Sequence, residues 1–174
     1  MPRKNILTLL AGGDRRTVGR ADRVAAIVSK DSSLFPELMA GFWSEDVLVR
    51  MRAADAAEKV TRTNRELLRP YKKELLGLMS EAEEQELRWH LAVMVPRLLL
   101  NAEERRLAAS WLNKYLDDRS SIVKTFALQG LADLAQDDVS IQPGVIEILR
   151  EATRNGTAAM KARSHKLLFQ LERL

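Results

Sequence analysis

Arg50, Arg88, Lys124 and Lys161 recur at intervals of 38, 36 and 37 residues, each within a similar run of helical periodicity. The runs read LVRMRAADAAEKV from Leu48, ELRWHLAVMV from Glu86, IVKTFALQGLADL from Ile122 and AMKARSHKLL from Ala159. A period of this length marks stacked supersecondary units, none of which buries its apolar face alone. The repeat therefore constrains the architecture more tightly than any single residue does.

Each unit reads as two antiparallel helices, the second carrying the basic residue. In the clearest unit the first helix spans 35–44, opened by Pro36, whose missing N–H costs nothing in the first turn. Leu34, Phe35, Leu38, Met39, Phe42 and Trp43 form its apolar stripe. Asp46 is the expected N-cap of a second helix running to about Arg62. Pro70 opens the next first helix, through about Met79, and its partner spans 85–100 with a kink or early end expected at Pro96. A third unit pairs a helix bearing Leu107, Ala108, Trp111, Leu112, Tyr115 and Leu116 with a helix over 121–135. The fourth runs from Pro143 to about Arg154, has a C-cap signal at Asn155–Gly156, and closes over 157–174. Residues 17–30 are expected to be helical, and a short helix over 5–11 ends at Gly12–Gly13. These boundaries give one repeat domain: a capping repeat over 1–33, then repeats over 34–63, 64–101, 102–136 and 137–174.

On these residues the chain resembles the HEAT-repeat family, helical-hairpin solenoids related to armadillo repeats. EDVLVRMRAADAAEKV at 45–60 is similar to the family's acidic turn, Val-Arg pair and Ala-rich second helix. Leu87–Arg88 and Val123–Lys124 repeat that pattern, and Met160–Lys161 repeats it more loosely. The likeness covers 34–174 and extends to small bacterial HEAT-repeat proteins with no assigned function. It implies an all-α, right-handed α-α superhelix of about four hairpins plus a degenerate N-terminal capping repeat. It names a fold and no activity.

There is no cysteine, which excludes disulfides, thiolate catalysis and Cys-ligated metals. Two histidines, His90 and His165, leave little choice of catalytic base, and Glu86 with His90 does not make a metal site. The expectation is a non-enzyme with no cofactor and no metal. No apolar run approaches the roughly 20 residues needed to span a bilayer, and Arg15 and Arg16 stand where a signal-peptide cleavage site should lie. The expectation is no membrane association and a cytoplasmic protein.

Charge is distributed unevenly: residues 1–23 carry +4, 24–149 carry −4 and 150–174 carry +4. A solenoid tracking phosphates would carry positive charge along its whole groove. The leading expectation is therefore a protein-interaction module, an adaptor, scaffold or regulator. Its concave second-helix face would meet a protein partner through Arg52, Asp55, Lys59, Arg88, Trp89 and Gln129. The alternative is a DNA-binding protein related to the HEAT-like alkylation-repair glycosylases, for which Trp89, Asp55 and Arg88 are the nearest residue types.

Two further features have a structural and a functional reading. The basic column can form a ladder to turn carboxylates, with Asp46 and Glu84 four residues before Arg50 and Arg88. In GGDRRTVGR at 12–20, Arg15, Arg16 and Arg20 around a helix start suit a phosphate or carboxylate. Without a terminal Lys-Ser/Thr it is not a P-loop. Trp43 and Trp111, on the stripes of first helices, are expected in the core.

Overall fold

The computed structural model describes residues 5–14, 16 and 19–173. Every regular element among them is helical: nine α-helices joined by turns and short 3-10 segments. The chain divides into two compact units, Met1–Pro70 and Tyr71–Leu174.

In the first unit α1 (Ala21–Lys30) and α2 (Phe35–Ala40) both pack on α3 (Val47–Thr61). The Asp46 carboxylate caps α3, accepting from the Leu48 N–H at 2.8 Å, as its position predicts. Ala53, Ala54, Ala56 and Ala57 are fully buried, so α1 and α2 approach the α3 backbone closely. Val24, Val28, Phe35, Leu38, Met39 and Phe42 fill the rest of this core.

The second unit comprises α4 (Lys72–Glu81), α5 (Gln85–Met94), α6 (Ala102–Tyr115), α7 (Ser121–Gln136), α8 (Gln142–Asn155) and α9 (Ala158–Leu171). The second helices lie side by side, α5 on α7 and α7 on α9. The first helices cover them, with α4 against α6, α6 on α7, and α8 on α9 and α7. Gly130 sets the closest approach in this layer: a Cβ there would lie 2.2 Å from the Ala92 carbonyl oxygen. Leu91, Leu112, Ala127, Leu128, Leu149 and Leu167 form the interior between the layers.

Several local expectations are corrected. Trp43 is not core but 49% exposed. α2 ends at Ala40 and the chain continues as a 3-10 turn over Gly41–Trp43, whose tighter winding swings the indole off the apolar stripe. Trp111 is only half-buried, with Lys114 Nζ 3.9 Å above its ring, and Leu107 is exposed. The helix expected over 17–30 begins at Ala21, because Gly19 at φ +54° cannot continue a right-handed helix; Thr17 and Val18 lie outside the described residues. Pro70 lies inside a 3-10 segment, Arg65–Tyr71, that precedes α4 instead of opening it. Gly156 follows α8 at φ −74°, so that helix does not end in a left-handed cap. Its lack of a side chain serves another purpose, since a Cβ would lie 2.4 Å from the Ala152 carbonyl oxygen. Pro96 acts as expected: α5 stops at Met94 and tightens into a 3-10 turn, Val95–Arg97.

Candidate functional site

Register along the second helices is best counted from their N-caps: Asp46, Glu84, Ser120 and Thr157. Positions six, nine and thirteen residues later share one helix face. On α3 these are Arg52, Asp55 and Lys59. On α7 they are Phe126, Gln129 and Asp133, and on α9 Arg163, Lys166 and Gln170.

In the second unit this face of α7 and α9 forms a strip with Trp89 of α5, which stands one residue out of that register because the sixth position past Glu84 is buried His90. Trp89 of α5 lies 6.4 Å from Phe126 of α7, ring centroid to centroid. The Arg163 guanidinium of α9 lies 5.6 Å from the Phe126 ring centroid, within cation–π reach. Arg163 Nη1 donates to Gln129 Oε1 at 2.6 Å, and Gln129 Nε2 donates to Asp133 Oδ1 at 2.8 Å. Burial pushes the Asp133 carboxyl above the usual aspartate range, against the opposing pull of the Gln129 amide and of Arg97 and Arg163. Trp89 Nε1 donates to Nε2 of buried His90 at 2.9 Å, which fixes the indole against its neighbour. Trp89, Phe126, Gln129 and Arg163 are each half-buried, anchored on one side and open on the other.

The expected binding residues separate on inspection. Trp89 and Gln129 belong to this strip. Arg88 does not: its Nε donates to the Ala82 carbonyl at 2.8 Å and its Nη1 to Asp118 Oδ2 at 2.7 Å, at the turn end of α5. Asp55 and Lys59 lie together on α3, with Lys59 Nζ bonded to Asp55 Oδ2 at 2.6 Å and to Asp22 of α1 at 2.5 Å. Burial draws the Lys59 ammonium down, but the two carboxylates outweigh it and hold the group above its usual range.

Arg52 is corrected from a surface residue to a buried one, 3% exposed. Its guanidinium donates to the carbonyls of Leu10 (2.7 Å), Gly12 (2.5 Å) and Asp14 (2.9 Å). Gly12 and Gly13, at φ +74° and +85°, turn those carbonyls inward. This glycine segment thus presents acceptors to a cation, the opposite polarity from an anion-binding loop. Arg16 and Arg20 are exposed, and Arg15 lies outside the described residues.

The basic column is only partly a carboxylate ladder. Arg50 Nη1 donates to the Ser44 carbonyl, six residues back, as Arg88 does to Ala82. The carboxylate that Arg88 Nη1 meets is Asp118, from the next turn. Among the described residues Lys124 and Lys161 make no side-chain hydrogen bond or ion pair.

Phe126, Asp133 and Arg163 escaped the sequence reading. A signal was present: Arg52, Phe126 and Arg163 each stand six residues past an N-cap and two residues past the basic column.

No protein-family model matches this chain, and neither a curated protein nor a solved structure matches it. Among the described residues no helix is long and apolar enough to cross a membrane.

Proposed function

We propose that this chain is a non-enzymatic, HEAT-like solenoid module, an adaptor, scaffold or regulator in the cytoplasm, that binds a protein partner on its second-helix face. The strip from Trp89 through Phe126, Gln129 and Asp133 to Arg163 carries the reading. It offers aromatic area, an amide, a carboxylate and a guanidinium side by side. Aromatic residues and arginine are the side chains that dominate protein interfaces. Their mutual bonds hold them in place before binding, which lowers the ordering cost of association.

Charge supports a protein over a nucleic acid. Residues 71–174 hold 15 Lys/Arg and 15 Asp/Glu, and the one guanidinium in the strip is already shared with Gln129. The glycosylase alternative would need Asp55 as a free acid, whereas that carboxylate is bonded to Lys59.

Titration with a labelled DNA duplex and a single strand, at low and physiological salt, tests the choice. The reading expects no binding at low salt, where electrostatic association is strongest. Tight binding with a steep salt dependence would replace it with the DNA-binding alternative.

A further inference from the structure

Beyond the strip, we infer that a groove in the first-helix layer of the second unit binds a small, elongated, uncharged apolar molecule. α4 lies against α6, but no comparable contact joins α6 to α8. Where those two helices part, a cavity of about 630 Å³ opens. That lies within the roughly 300–1,000 Å³ of ordinary small-molecule sites.

Its lining is apolar and comes from four helices. α7 supplies the floor through fully buried Leu128, and α8 supplies one wall through buried Ala152 and half-buried Ile148. Half-buried Leu116, just past the end of α6, and half-buried Met160, in the first turn of α9, complete it. Gly144, Ile148, Ala152 and Asn155 follow one another at helical spacing on α8, so the groove runs along that helix for roughly 16 Å. Gly144 keeps its end clear. A Cβ there would meet nothing within 4 Å, although alanine would favour the helix.

The polar rim decides the class of occupant. Glu151 accepts from Arg154 Nη2 at 2.9 Å and from Asn155 Nδ2 at 2.6 Å. Glu147 lies 3.6 Å from Arg154 and 3.7 Å from Arg150. Each rim charge thus already has an opposite charge on α8, and an ionic ligand would have to break one pair to gain another. Carried deeper, a charged group would lose its water against Leu128 and Ala152 without a partner. An extended peptide fits poorly for a related reason: its backbone N–H and carbonyl groups would face apolar side chains and polar ones already paired. An uncharged hydrocarbon meets neither penalty. It removes from water both its own surface and the exposed parts of Leu116, Ile148 and Met160.

The test is binding of Nile red, a neutral apolar dye whose emission rises out of water, to the full chain. Dodecanol, dodecylammonium and dodecanoate then compete with it. The inference expects saturable dye binding that dodecanol displaces best, each charged analogue several-fold more weakly, with no change from low to high salt. Gly144→Leu, whose side chain enters the open end of the groove, is expected to weaken dye binding about tenfold. Gly77→Leu on α4, equally unobstructed and outside the cavity, is expected to leave it unchanged. Circular dichroism of both variants confirms folding, which neither open position threatens. No saturable binding, better displacement by either charged analogue, or the same affinity in the two variants overturns the inference.

Discussion

Tyr115 Oη donates to the Met79 carbonyl at 2.7 Å, joining the end of α6 to the last turns of α4 across 36 residues of sequence. The ring is buried, so the hydroxyl has no water to fall back on. Tyr115→Phe keeps the packing and removes the bond, and is expected to cost about 1 kcal/mol in urea denaturation. Burial also pushes the phenol ionisation upward. The unfolded phenol ionises near 10, so the folded state holds its proton longer and stability falls as pH rises beyond that value. Tyr115→Phe removes that alkaline loss, which comparison of melting temperatures at pH 8 and above 10 detects.

Gly130→Ala separates helix propensity from packing. Propensity alone would favour alanine by about 1 kcal/mol in a helix interior. The added methyl would sit 2.2 Å from the Ala92 carbonyl oxygen, so α5 and α7 must move apart. A net destabilisation of about 1–3 kcal/mol is expected, and a stabilised variant would show that the two helices are not this close.

Gly19→Ala should act through Arg52. Gly19 has φ +54°, and a Cβ there would lie 2.8 Å from the Arg52 Cζ. Backbone strain of about 1–2 kcal/mol adds to displacement of the guanidinium from three carbonyls. The melting temperature should fall and amide exchange over residues 6–10 should quicken. Unchanged exchange there would mean that Arg52 does not hold this segment.

Helix count and register were largely legible, because they rest on apolar spacing and N-caps that each segment carries locally. Asp46 accepts a backbone N–H bond at the start expected of it, and Ser120 and Thr157 do the same at the starts of α7 and α9, where no cap was expected. Trp43 was misjudged because a change from α to 3-10 winding leaves no mark in hydrophobic periodicity. Arg52 was misjudged for a different reason. On α3 alone it falls on the open face, and only the chain folding back through Leu10, Gly12 and Asp14 buries it. Trp89 and Gln129 stand out as candidates on single helices, whereas Asp133 and Arg163 join them only through Gln129, which bonds both.

Asp133→Asn gives the strip a pH signature. A carboxyl raised by burial binds its proton more readily folded than unfolded. Its ionisation therefore lowers stability as pH rises from the ordinary aspartate value, about 3.9, through the folded one. The asparagine variant, which can still accept from Gln129, should melt higher than the parent at pH 7, with the gap closing below pH 4. A gap independent of pH would mean that Asp133 is not a buried acid.

Cross-linking from Phe126 tests the central claim most directly. A photoreactive phenylalanine analogue at that position, irradiated in cell extract, should give a discrete protein adduct. That adduct should be absent when the same group replaces exposed Ser110 on α6, and lost when Arg163→Glu is added to the Phe126 probe. Identical adducts from both positions, or an adduct to nucleic acid, would contradict a protein-binding role for the second-helix strip.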